Sequence, residues 1–180
     1  MSDPTTPLDL DRSTTMPALF RAVTPPQWED FVRRRPRAIS EQAASVALRQ
    51  AHVERLRELA AIGRRAYGPN GPRADHWNDA PPFVDGVQTA GFDCENLALW
   101  VRHVMTEEFA EWPLGAGRPA ICTLPDGRAH CVLVIVEGTG LGDYILGAQA
   151  EEDLVPWRSL AGYRWHSMLH RFDEWRLIAA

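Results

Sequence analysis

The chain has 180 residues and a mass of 20.2 kDa; 45% of it is apolar, 24% is charged, and the formal net charge is −5. That is one domain's worth of polypeptide, with enough apolar surface to build a core without disulfide staples. The longest unbroken apolar run, Cys131 to Val136, falls far short of the roughly 18 residues a membrane helix needs. All 19 basic residues are arginine, which excludes Schiff-base lysine chemistry and the phosphate-gripping lysine of a P-loop. A mildly acidic chain with a pI near 5.7 is also a poor general nucleic-acid binder.

In chain order, residues 1–15 are rich in Asp, Thr and Pro and predict a disordered N-terminal tail, leaving 16–180 as the domain. The tail lacks the basic start and apolar core of a signal peptide, so the expectation is a cytoplasmic protein. A first helix is predicted to start after Thr24, with Pro25 and Pro26 fitting its first turn, and to run through Trp28 and Phe31. The arginines at 33, 34, 35 and 37 read as a solvated loop. Ser40 then serves as an N-cap for a long helix to about Tyr67, with Val46, Val53, Leu56 and Ala60 as its apolar stripe. Residues 68–91 hold much of the Gly, Pro, Asn and Asp and are expected to be mostly irregular. A third helix opens at Cys94 and ends near Trp112–Pro113.

The apolar period then changes. Residues 119–124 and 129–136 read as strands joined by a Pro125–Asp126–Gly127 turn, and 143–146 returns as a third. A further strand is predicted around 163–167. Helices followed by an antiparallel meander predict an α+β fold, with N-terminal helices packed on an antiparallel sheet.

Cysteines 94, 122 and 131 are an odd number at uneven spacing, and yield neither a disulfide framework nor a CxxC metal pair. Cys94 stands out by its position. It follows the Gly91–Phe92–Asp93 loop and opens a helix, where the dipole and unpaired amides favour a thiolate and an oxyanion. The plain alternative is an ordinary half-buried cysteine behind an Asp93 N-cap. His130 opens the central strand, and a helix-start cysteine followed by a strand-start histidine is the Cys–His order of papain-like folds. Because strand neighbours face opposite sides, Cys131 is assigned to the core or the far face.

Several spaced motifs together resemble the bacterial transglutaminase-like cysteine peptidases. Asp93–Cys94–Glu95–Asn96 is similar to that family's Asp-Cys-Glu-Asp nucleophile motif, and His130–Cys131–Val132–Leu133 to its His-Ala-Val-Leu strand. Gly142 to Leu146, Val155–Pro156–Trp157 and Tyr163–Arg164–Trp165 resemble its later segments, and Trp77 has a counterpart ahead of the cysteine. The resemblance covers roughly 65–176. It implies a papain-like, transglutaminase-like fold and a protein or peptide substrate; the charge and the short apolar runs already argue against a nucleic-acid or membrane partner. Cys94 would be the nucleophile, His130 the base, and Trp77 an oxyanion donor.

Two departures from the family stand out. Its third residue is an Asp ending the strand after the histidine, and Gly147 occupies that position here. If the hairpin folds about residues 138–139, His130 lies opposite roughly residue 147, and Asp143, facing about 134, is too distant to orient the imidazole. If the strand ends with a bulge, Gln149 is in reach as a substitute, an amide holding the histidine by a neutral hydrogen bond. Beside the nucleophile, one acid is softened to an amide. Asp93, Glu95 and Asn96 are oxygen donors suited to calcium, so calcium is a possible ligand and no other cofactor is expected. Uncompensated carboxylates there raise the Cys94 pKa.

The resulting expectation is a cysteine peptidase-like hydrolase acting on peptide or isopeptide bonds. The alternative is a non-catalytic structural or binding protein that keeps the fold, such as a phage virion component assembled with other proteins.

Overall fold

In the computed structural model the described residues are 18–36, 44–67, 77–89, 91–139, 142–149, 153–171 and 174–178. The 1–15 tail, Ser40 and residues 68–76 lie outside them. Among the described residues, three α-helices (α1, Pro26–Arg34; α2, Gln50–Ala66; α3, Cys94–Glu108) pack with a seven-stranded sheet. Its strands are β1 (Ala18–Arg21), β4 (Gly117–Thr123), β5 (Ala129–Ile135), β6 (Tyr144–Leu146), β7 (Leu154–Pro156), β8 (Arg164–Arg171) and β9 (Glu174–Ile178). They lie in the order β1-β9-β8-β4-β5-β6-β7, every neighbouring pair antiparallel. The architecture is α+β, as expected.

A small hairpin, β2 (Phe83–Val84) and β3 (Val87–Gln88), crosses the stretch expected to be irregular. Asp85 and Gly86 make its turn, both with positive φ (50° and 77°). That conformation suits Asp-Gly and matches the right-handed twist of the flanking strands.

The two faces of the sheet bury different residues because β5 alternates. Cys131, Leu133 and Ile135 point to α2 and α3 and join Leu56, Leu59, Leu97 and Val101 in one core. Val132 and Val134 point the other way, to Ala120, Cys122, Ile145, Trp157 and Met168. A third cluster gathers Trp28, Phe31, Trp77, Leu99 and Trp175. The two long helices approach closely at Gly63, where an added Cβ would overlap the Leu97 side chain. This close approach brings the C-terminal end of α2 towards the start of α3.

Several boundaries differ from the sequence reading. The second helix starts at Gln50, and residues 44–49 are not helical. The end of β5 captures that segment: Val46 N–H donates to Val136 O (2.9 Å), and Gly138 N–H donates to Val46 O (3.0 Å). Val46 is still buried, but through this bridge and not on a helical stripe. The third helix stops at Glu108, short of Trp112. The β5–β6 register is displaced by two residues from the expected one. Leu133 pairs with Leu146 and Val134 with Ile145. Between the two strands the Glu137 carboxylate accepts from Thr139 N–H (2.7 Å).

Candidate active site

Asp93 and Asn96 fix the start of α3 by a reciprocal capping box. The Asp93 carboxylate accepts from Asn96 N–H (3.3 Å), and the Asn96 amide oxygen accepts from Asp93 N–H (3.1 Å). Each satisfies a backbone donor that the first helical turn would leave open. This cap sets Cys94 as the first residue of the helix. The helix then lies across β5, so that Cys131 N–H donates to Cys94 Sγ at 3.4 Å.

The thiol has a second partner. Cys94 Sγ–H donates to Glu95 Oε2 at 3.0 Å. Burial first, then the Glu95 charge and this hydrogen bond, push the thiol pKa well above its ordinary value; the Cys131 amide opposes them. Asp93 is raised above the ordinary carboxylate range, again by burial first and then by Glu95. The acidic groups beside the thiol therefore oppose its ionisation.

His130 is only 5% exposed. Its Nε2 lies 2.8 Å from the Gly147 carbonyl oxygen. A carbonyl only accepts, so Nε2 carries the proton and Nδ1 is the lone-pair nitrogen of the neutral ring. Gly147 has φ +84°, a conformation costly for a side chain, and so is suited to turning its carbonyl back onto the ring. The imidazole pKa is lowered, chiefly by burial; the Gly147 bond raises it in part, and Arg128 adds to the lowering.

Among the described residues no hydrogen bond joins Cys94 to His130: the thiol meets Glu95 and the backbone N–H of Cys131, and the imidazole meets the Gly147 carbonyl. Gln149 does not hold His130: its amide oxygen accepts from Arg128 NH2 (2.9 Å), and the place beside Nε2 belongs to the Gly147 carbonyl. Arg128 also pairs with Asp126 (2.7 Å), and these side chains form a polar rim next to the histidine. Trp77 is 3% exposed and packs edge-on against Trp28 (6.2 Å between centroids) and Trp175 (6.0 Å), in the third core cluster. Asn96 is 1% exposed; its amide oxygen serves the cap, and its amide nitrogen donates to Asn78 O (3.3 Å). Of the three expected calcium donors, Asp93 and Glu95 place carboxyl groups beside the thiol, whereas both ends of the Asn96 amide are already engaged. Among the described residues, no group of three or more His, Cys, Asp or Glu is arranged to hold a metal.

Three features of the centre carry no strong sequence signal. Tyr67, the residue capping the end of α2, has its phenol in hydrogen-bonding contact with Cys94; burial and the neighbouring Cys94, Glu95 and Asp93 oppose its ionisation. The Gly147 carbonyl is a backbone group. Cys131 shares the face on which Cys94 packs, and that contact depends on where α3 crosses β5.

Among the described residues, no helix is long and apolar enough to cross a membrane. A search of curated protein sequences finds no match. Solved structures similar to this chain include Legionella pneumophila LapG. The calcium-bound form has a TM-score of 0.50 at 17% identity, over 64% of this chain and 64% of that one. The EGTA-treated form has a TM-score of 0.53 at 16% identity, over 71% of this chain and 67% of that one. At those identities the likeness concerns the fold, which is transglutaminase-like. A family model, bacterial transglutaminase-like cysteine proteinase (BTLCP), matches residues 19–179, most of the chain. The chain therefore belongs to the bacterial transglutaminase-like cysteine proteinase family.

Proposed function

We propose that the protein is a cysteine peptidase that cleaves peptide or isopeptide bonds with a Cys94–His130 pair, the imidazole being oriented by a backbone carbonyl in place of a carboxylate. The observation that carries this reading is the 2.8 Å contact between His130 Nε2 and Gly147 O. An orienting group must fix the tautomer and hold the ring, and a carbonyl does both. It adds no negative charge to stabilise the imidazolium, so the pair is expected to be slower than a full triad.

In the proposed reaction, His130 Nδ1 takes the Cys94 proton and the sulfur attacks the substrate carbonyl carbon. The developing oxyanion sits at the N-terminus of α3, where the Cys94 N–H is available, with the Tyr67 phenol as a second donor. The histidine then protonates the leaving amine. Water, deprotonated by the same nitrogen, releases the acyl group.

This sequence of steps requires the thiol to give up its hydrogen bond to Glu95. Calcium fits that need as a cofactor, held by the Asp93 and Glu95 carboxylates, because its charge offsets the two acids that oppose ionisation at Cys94. The existence of a calcium-bound form of Legionella pneumophila LapG supports the choice of cation.

The same Glu95 contact favours a second reading, a fold-retaining binding protein whose thiol stays protonated. Incubating the protein with a diverse peptide mixture, with and without calcium, separates the two by mass spectrometry. The peptidase reading expects cleavages that vanish in both Cys94→Ala and His130→Ala. Cleavage unchanged in Cys94→Ala, or none under either condition, contradicts it.

A further inference from the structure

Cys131 lies directly beneath the proposed nucleophile and takes no part in the steps above. Its backbone N–H is 3.4 Å from Cys94 Sγ. Covalent geometry then keeps the Cys131 Cβ within about 6 Å of that sulfur. The direction is as important as the distance. Strand alternation turns the Cys131 side chain towards α3, into the cluster against which Cys94 packs. Its thiol currently points to the Val132 carbonyl at 3.9 Å, a weak contact that a side-chain rotation gives up at little cost. Cys122 is differently placed. It belongs to the cluster on the opposite face of the sheet, with its sulfur towards the His130 carbonyl (3.7 Å).

We propose that Cys94 and Cys131 form a reversible intramolecular disulfide, with Cys131 as the resolving thiol that captures Cys94 after oxidation by a peroxide. The unequal exposure of the two sulfurs sets the order of events. Cys94 is half-buried and reachable by a small oxidant, whereas Cys131 is 1% exposed and is not. In the first step hydrogen peroxide oxidises the Cys94 sulfur. The O–O bond breaks, one hydroxyl remains on sulfur as a sulfenic acid, and the other leaves with the thiol proton as water. In the second step the Cys131 sulfur attacks the Cys94 sulfur. The S–O bond breaks, and hydroxide departs with the Cys131 proton as a second water. Two electrons pass from the two thiols to one peroxide. A dithiol reductant reverses the bond, so the nucleophile is protected from the irreversible sulfinic and sulfonic states.

The inference concerns the same sulfur as the peptidase reading, but its test does not need peptidase activity. Trypsin, which cuts after arginine but not at Arg118–Pro119, leaves Cys94, Cys122 and Cys131 on separate peptides, 74–102, 103–128 and 129–158. The native protein is exposed to hydrogen peroxide, its remaining thiols are blocked by alkylation, and the digest is read by mass spectrometry before and after reduction. The expected product is peptide 74–102 joined to 129–158, two hydrogens lighter than their sum and lost on reduction. In Cys131→Ala the same treatment carries Cys94 on to sulfinic and sulfonic acid, with loss of the thiol that dithiothreitol restores in the wild type. Reversible oxidation of Cys94 that is equal in both proteins, a link to Cys122 or a link between chains overturns the proposal. Alkylation of Cys94 in the fully reduced protein reports separately on the catalytic reading, so the two fail independently.

Discussion

His130 Nε2 and the Gly147 carbonyl oxygen lie 2.8 Å apart, and Gly147 holds that carbonyl in place with a φ of +84°. A left-handed backbone costs most L-residues roughly 1–2 kcal/mol, whereas Asn tolerates it. Gly147→Ala should therefore destabilise the fold by about that amount and loosen the imidazole. Gly147→Asn, which keeps the backbone conformation, should retain more of the Cys94 reactivity. Thermal unfolding and alkylation rates check both. Equal reactivity in Gly147→Ala and wild type would mean that the carbonyl does not orient the ring.

Glu95 raises the Cys94 pKa by its charge and by accepting the thiol's hydrogen bond. Glu95→Gln removes the charge, so the thiol should ionise at lower pH and alkylate faster at neutral pH in the absence of calcium. The measurement is the pH midpoint of iodoacetamide labelling at Cys94. A midpoint that does not fall would remove Glu95 as the restraint on the thiol.

Asp93 is an acid whose pKa is raised by folding. The folded state therefore binds its proton more tightly than the unfolded chain does, and stability falls as pH rises from the ordinary carboxylate range through the raised value. Asp93→Asn, which still caps a helix, should flatten that fall in Tm. Calcium should raise Tm at neutral pH in the wild type, because a ligand bound only by the folded state stabilises it. That gain should vanish in Asp93→Asn and in Glu95→Gln. A calcium-induced rise that survives both substitutions would place the ion elsewhere.

Tyr67 and Trp77 should separate cleanly on mutation. The phenol contacts Cys94, and losing one oxyanion donor typically costs about 10²-fold in kcat, so Tyr67→Phe should reduce turnover by roughly that factor with KM little changed. Trp77 packs between Trp28 and Trp175, so Trp77→Phe should lower Tm and leave kcat near the wild-type value. The opposite pattern would return the donor role to the indole.

The chain discloses its site unevenly, for physical reasons. Cys94 at a helix start was legible because Gly91–Phe92–Asp93 breaks the chain and Asp93 is a strong cap. The central strand was legible because Cys131 to Val136 is apolar and rich in β-branched residues. The edges were not. β1 and β9 come from opposite ends of the chain and pair Phe20 with Leu177, and no local pattern announces such a long-range pairing. Residues 44–49 carry a helical spacing, yet Val46 is taken by the end of β5, a tertiary hydrogen bond overriding local preference. The group beside the histidine Nε2 carries no residue-type signal because it is a main-chain carbonyl, turned to the ring by one glycine. Gln149, the side chain expected to substitute if a bulge brought it within reach, is engaged by Arg128 instead.

The central claim, an activated Cys94–His130 pair, is most directly tested by the rate of iodoacetamide labelling at Cys94 between about pH 4 and 9, with calcium present. Wild type and His130→Ala are compared by peptide mass spectrometry. The account predicts rapid labelling of the wild type well below the pH at which an ordinary thiol ionises, and its loss in His130→Ala. Slow labelling with an ordinary or raised thiol midpoint, the same in both proteins, would contradict it.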